Sequence, residues 1–249
     1  MEWTDEAIVL SARPHGEAAV VATLLTRTHG RHSGLVQGGR SSKQRGNLQP
    51  GNRVSARWRA RIADHLGTFT IEPVHNVSAG FLDDPLRLAC LVSACAVTEV
   101  ALPDREPHDP VFHGLAALLD AFETPLWAAS YVRWEVGLLQ ELGFGLDLGT
   151  CAATGANDAL AYVSPRTGRA VSLSAGEPYR DKLLPLPGFL VGQGSARGGT
   201  MDEEVLAGLD LTGHFLDRHA FATRDTAMPA ARTRFIERYR KLATLSGSR

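Results

Sequence analysis

The chain has 249 residues, 44% hydrophobic and 21% charged, with a formal net charge of -1; this excludes a disordered or fibrous polypeptide and describes a globular one with room for one large domain or two to three small ones. Its longest nearly apolar run, Leu88 to Val97, is about half of the roughly 20 residues a membrane helix needs, so no membrane span is expected. The acidic start Met1-Glu2-Trp3-Thr4-Asp5-Glu6 is unlike a secretory signal, and Cys90, Cys95 and Cys151 can neither all pair nor form a Cys-x-x-Cys site, so a reducing cytoplasm is the expected compartment.

Period-two alternation and β-branched residues predict five short strands near Ala7–Ala12, Ala18–Thr26, Gly34–Gln37, Arg53–Arg61 and Gly67–His75. Turn signals separate them at Pro14-His15-Gly16, His29-Gly30 and Gln49-Pro50-Gly51-Asn52. With no helix between them long enough for a parallel crossover, the strands predict a small antiparallel barrel, of which the five-stranded OB-fold is the commonest form and an SH3-like barrel the competitor.

The near-zero net charge hides a segregation. Between Glu17 and Asp64 lie 46 residues without Asp or Glu, carrying Arg27, Arg31, Arg40, Lys43, Arg45, Arg53, Arg57, Arg59 and Arg61. Residues 64 to 223 sum to -12, and residues 224 to 249 to +5. A one-sign stretch of this length points to a polyanion partner. A solvated arginine-rich surface is the alternative, but a preference for arginine does not account for the missing acids. In the fourth strand Arg53, Arg57 and Arg59 alternate with Val54, Ala56, Trp58 and Ala60, which puts cations on one face and Trp58 in the core. Arg40, Lys43 and Arg45 lie on the Gly38–Gly46 connection, read as a flexible loop able to follow a phosphate backbone. Aromatic platforms are scarce, so binding is expected to be mainly electrostatic.

Beyond Gly80, the pairs Asp84-Pro85, Asp109-Pro110 and Thr124-Pro125 each read as an N-cap followed by proline at the first helical position, predicting helices to about Leu102, Ala121 and Leu142. Cys90 and Cys95 fall in the most apolar of these as core residues. His108 and His113 read as loop and helix-surface residues. Residues 143 to 199 form an irregular insert rich in glycine and proline, with a hairpin at Ala159–Val163 and Ala170–Leu173. Leu183 to Gly199 reads as a loop. Thr200-Met201-Asp202-Glu203 has capping-box spacing and opens a helix to about Phe221. A last basic helix runs from Pro229 to Leu242, where Arg232, Arg234, Arg238 and Arg240 either extend the anion-binding surface or form a solvated helix end, and Phe235 and Tyr239 pack inward.

Taken in order, Arg13-Pro14-His15-Gly16-Glu17, Gly38-Gly39-Arg40-Ser41-Ser42-Lys43 through Leu48-Gln49-Pro50, Arg133-Trp134-Glu135 with Leu142-Gly143-Phe144, and Tyr162-Val163-Ser164-Pro165 resemble the RecO family of bacterial DNA repair proteins over nearly the whole chain. The resemblance implies an OB-fold domain at residues 1–80, a helical domain at 81–146 and 200–249, and a zinc-ribbon-like insert at 147–199. It implies a recombination mediator without a catalytic centre, which binds single- and double-stranded DNA, anneals complementary strands, contacts single-strand-binding protein and, with RecR, helps load RecA. It also implies Arg133 as the residue that receives the acidic C-terminal tail of single-strand-binding protein, with pairing to a glutamate such as Glu135 as the alternative. Many members carry four zinc-binding cysteines in the insert. Here only Cys151 remains, with Thr154, Ser172 and Ala175 at the other positions, so a metal-free insert is expected and no cofactor is predicted.

Enzyme readings fare worse. The three lysines follow Ser42, Asp181 and Arg240, which excludes a Walker loop, and no His-Glu-x-x-His is present. A metal-dependent nuclease using Asp104, Glu106 and Asp109 and an RNA-binding OB module remain as alternatives.

Overall fold

The computed structural model describes residues 1–192, 194–222 and 226–246. The chain divides into two compact units, residues 1–120 with 229–235 and residues 121–228 with 236–249.

The first unit is built on five strands, β1 (Glu2–His15), β2 (Ala19–Thr26), β3 (Gly30–Val36), β4 (Arg53–Arg59) and β5 (Thr68–His75). They are hydrogen-bonded in the order β1-β2-β3-β5-β4. Strand β1 is long enough to serve two neighbours: Glu2 to Ile8 pair with β4, and Ala7 to His15 pair with β2, with an irregularity between Val9 and Ser11. The sheet therefore closes on itself. β3 and β5 meet in parallel at Leu35 and Thr68. Alternation places Ala7, Val9, Val20, Ala22, Leu24, Val54, Ala56, Trp58, Phe69 and Ile71 in one buried cluster. Gly67, with φ +65°, lies so close to Trp58 that a Cβ would stand 2.4 Å from its Nε1, and a Cβ on Gly34 would stand 2.5 Å from the Phe69 ring. These glycines let the two aromatic rings fill the sheet interior.

β1 and β3 both begin earlier than the sequence pattern predicts. The Gly38–Gly46 segment is not wholly a loop: Ser41 caps a short helix, α1 (Ser42–Asn47), by accepting from Gln44 N. The buried Asn52 fixes this turn, donating to the Gly46 carbonyl at 2.8 Å and accepting from the Ser78 backbone and hydroxyl at 3.1 Å.

Helix α2 (Pro85–Ala101) starts as predicted, with Asp84 accepting from Leu86 N and Arg87 N. It lies on β1, where Cys95 Sγ contacts the Val9 carbonyl at 3.6 Å. Burial pushes the Cys95 thiol up to about 12, as befits a core side chain. Helix α3 (Asp109–Ala121) includes Asp109 in its first turn, the carboxylate facing Arg27 and His113. Helix α4 (Trp127–Glu141) starts two residues later than the Thr124-Pro125 signal, and its N-cap residue Leu126 makes no side-chain bond. The Thr124 hydroxyl is committed elsewhere, donating to the Ala121 carbonyl at 2.8 Å and so closing α3.

In the second unit the predicted hairpin is present as β6 (Leu160–Val163) and β7 (Ala170–Ser172), followed by the four-residue helix α5 (Leu173–Gly176). A third strand, β8 (Leu184–Pro185), pairs with β6. The segment read as a loop thus contributes a sheet edge and the buried Leu186. Helix α6 (Met201–Phe215) opens with the full Thr200/Glu203 capping box and runs into a π-helical turn over Leu216–Phe221. Gly208 admits Val132 of α4, since a Cβ there would meet its side chain at 2.6 Å. Beside this contact the fully buried Glu135 accepts a hydrogen bond from the Thr212 hydroxyl. Helix α7 (Ala230–Ser246) closes the chain, with Phe235 and Tyr239 buried as the pattern predicts. No described helix is long and apolar enough to cross a membrane.

Candidate nucleic-acid interface

Alternation in β4 leaves Val54, Ala56 and Trp58 buried and turns Arg57 and Arg59 outward to solvent, with Arg53 half-buried. The row of cations exists, but the fold answers most of it with acids from distant parts of the chain. Strand β1 lies against β4 with Glu2 opposite Arg59 and Glu6 opposite Ser55. The Glu2 carboxylate takes the Arg57 guanidinium. Arg53 donates to Asp120 and to the Ala116 carbonyl, both at 2.7 Å, and Arg31 pairs with Asp104 at 3.0 Å. Arg40 turns back to the carbonyls of Gly16 and Glu17. Lys43, Arg45 and Arg59 remain exposed and make no ion pair with a described residue. Arg61 is likewise exposed and in no ion pair with a described residue, so these four of the nine cations present a charge that the fold does not engage.

The same reduction applies at the C-terminus. Arg232 is 3% exposed and belongs to the interior rather than to any binding surface. Arg240 pairs with Asp210 at 3.1 Å. Arg234 and Arg238 are exposed on α7. Arg224 and Arg249, which contribute to the basic terminus, lie outside the described residues.

Arg133 projects from α4, exposed, and donates to the Phe189 carbonyl at 2.7 Å with its guanidinium 5.7 Å from the Phe189 ring centroid. The alternative pairing with Glu135 does not occur, because Glu135 is fully buried and bonded to Thr212. Of the three carboxylates of the nuclease alternative, Asp104 and Asp109 are engaged by Arg31 and by Arg27 with His113, and Glu106 is exposed.

In the insert, Cys151 is 1% exposed, with Ser172 N donating to Sγ at 3.2 Å and the Ser172 hydroxyl at 3.5 Å. Burial alone raises its thiol. Hydrogen bonds from the Ser172 and Thr154 side chains and from the Ser172 and Ala153 backbones outweigh that and bring it down to about 6. Ser172 and Thr154 therefore do face Cys151, but hydroxyls beside one thiolate do not make a tetrahedral zinc site. Among the described residues no three His, Cys, Asp or Glu side chains gather to hold a metal.

The sequence reading missed an aromatic group at one end of the sheet. Trp3 stacks on His29 with centroids 4.0 Å apart, lies 5.7 Å from Trp58, and meets His32 and Phe69 edge-on. Asp5 holds the adjoining turn, accepting from Thr28 N, the Thr28 hydroxyl and His29 Nδ1. Burial pushes the Asp5 carboxyl up, but these bonds prevail and it lies below its ordinary value. Extending the Ala7, Val9 alternation backward through Asp5 to Trp3 would have found this group.

The described fold is thus a small closed five-stranded sheet with exposed cations, followed by a mainly helical region. The comparisons are specific: residues 1–77 match the model described as Recombination protein O N terminal, and residues 82–226 match Recombination protein O C terminal. DNA repair protein RecO of Rhodospirillum centenum is 65% identical over 249 residues, covering 99% of this chain and 98% of its own. The DNA repair protein RecO sequences of Rhodospirillum rubrum and Caulobacter vibrioides strain NA1000 are 49% and 52% identical, each covering 97% of its own length and 97% and 96% of this chain. The chain belongs to the RecO family.

Proposed function

We propose that this chain is a non-enzymatic recombination mediator in DNA repair: it binds single- and double-stranded DNA, anneals complementary strands and, with RecR, helps load RecA onto DNA coated by single-strand-binding protein. Residues 1–80 act as an OB-fold DNA-binding domain. Residues 81–146 with 200–249 form the helical domain, and 147–199 the degenerate zinc-ribbon-like insert. The observation that carries the DNA reading is the exposed, unshared charge of Lys43, Arg45 and Arg59 in a member of a DNA repair family.

Each phosphate contact contributes roughly 0.7 to the log–log salt slope on single strands, which at roughly 0.1 M salt is about fivefold in affinity. Arg59→Ala should therefore weaken single-strand binding about fivefold. Glu2→Gln should tighten it by a similar factor, because it releases Arg57 to a phosphate. Fluorescence anisotropy over a salt series measures both, and opposite or null shifts would remove β4 from the interface. Tighter binding to RNA than to DNA of the same length would favour an RNA-binding module instead, and magnesium-dependent cleavage a nuclease.

The second contact is with a protein. Arg133 is exposed and oriented by Phe189, and a guanidinium so held can take the terminal carboxylate of the single-strand-binding protein tail bidentately. Arg133→Ala should weaken a tail peptide about tenfold in a calorimetric titration. Equal affinities would place the tail elsewhere.

A further inference from the structure

At the end of the sheet that carries Trp3, a cavity of about 510 Å³ is lined by Trp3, His29, His32, Trp58, Ala63 and Arg105, among others. Trp3 and Trp58 lie nearly parallel, 19° apart in plane, and His29 stacks on Trp3 at 9°. His32 is only 4% exposed, and neither of its ring nitrogens has a hydrogen-bond partner. A buried unsatisfied polar group costs stability unless something meets it. Burial first, then the nearby Arg105 and His29 charges, lower His32 to about 4 against the weak opposing effect of Asp104. At neutral pH it therefore offers one N–H donor and one lone-pair acceptor.

Arg105 is positioned with unusual care. It adopts a left-handed backbone, φ +59°, rare for a residue with a side chain. Its guanidinium donates to the carbonyls of Ala63, Asp64 and His65 and lies 3.8 Å from the Asp64 carboxylate, so this side chain is held beside the cavity rather than swinging in solvent. The cavity also adjoins the exposed strand, because Glu2, another lining residue, stands opposite Arg59 in the β1–β4 register.

We propose that this pocket receives one unpaired nucleobase from a DNA strand lying along Arg59, an inference that rests on the DNA-binding reading above. The partly exposed rings of Trp3 and His29 take the face of the base, His32 meets its hydrogen-bonding edge, and Arg59 holds the flanking backbone. Stacking of this kind is tolerant of sequence because every base has a π-face.

The test compares a base-bearing single strand with an abasic strand of the same length and charge, using the full chain. Wild type should prefer the base-bearing strand about tenfold, with equal salt slopes. His32→Leu removes both ring nitrogens, and Ala63→Trp fills the mouth from an exposed position without touching the core. Both should bring the preference close to one while leaving the salt slope unchanged. Equal binding of the two strands by wild type overturns the pocket while leaving DNA binding intact, as does a preference that survives in both variants. Failure to bind either strand overturns the DNA-binding reading beneath it. Competition by free deoxyadenosine monophosphate at micromolar concentration would assign the cavity to a mononucleotide instead, whereas the strand reading requires millimolar amounts.

Discussion

Replacing Lys43, Arg45 and Arg59 together with alanine is expected to weaken single-stranded DNA binding about a hundredfold at roughly 0.1 M salt and to flatten the log–log salt slope by about 2. The size follows from counterion release: a cation already neutralised by a carboxylate releases little on meeting a phosphate, and these three are exposed without a described counter-charge. Arg31 and Arg53, by contrast, are tied to Asp104 and Asp120. The Arg31→Ala, Arg53→Ala double variant is a control that removes two charges, in which the freed carboxylates rather than lost contacts dominate. It should shift affinity without the same loss of slope. If the triple variant keeps its slope, the exposed cations are solvated surface and the DNA path lies elsewhere.

Acidification from pH 7 to 4 is expected to cost the wild-type fold about 3 kcal/mol more than it costs His32→Leu. His32 is held down to about 4 in the folded chain, whereas in the unfolded chain it titrates near 6.5. Below 6.5 the unfolded state binds a proton that the folded state refuses, so the stability present above pH 6.5 is lost as pH falls toward 4. The groups that face His32 set the direction: Arg105 and His29 oppose its protonation, and Asp104 only partly favours it. Urea unfolding of both proteins across this pH range isolates the contribution, because the carboxylates titrating in the same interval cancel in the difference. Parallel stability curves would mean that water or a shifted side chain solvates the protonated ring.

The legibility of the fold followed how local its causes were. Asp84-Pro85 and the Thr200/Glu203 box are complete within a few residues, and both helices start where their caps stand. Thr124-Pro125 has the same appearance, but its hydroxyl donates to the end of the preceding helix and the next helix starts only at Trp127, without a side-chain cap. The charge map shows the limit most clearly. A 46-residue window without acids says nothing about acids that folding delivers from outside it, and Glu2, Asp104 and Asp120 come from as many as 73 positions away in the case of Arg31 and Asp104. The alternation in β4 gave the direction of each arginine but not its partner. Trp3 was hidden for a different reason: the polar residues flanking it break the apolar run that marks β1, so the predicted strand begins only at Ala7.

The joint between β3 and β5 is the weakest in the ring of strands. Pairing there amounts to Leu35 against Thr68, with Leu35 N donating to the Gly67 carbonyl, whereas β1–β2, β2–β3 and β4–β5 are extended antiparallel ladders. The ring is thus a three-strand meander and a two-strand hairpin, joined firmly through β1 and β4 and only latched on the other side. Such a latch is where the domain breathes at least cost, since few backbone bonds break and no ladder is lost. Gly67 and Phe69 sit on either side of it, against Trp58 and Gly34, so each opening loosens the aromatic end of the sheet while the remaining strands stay paired.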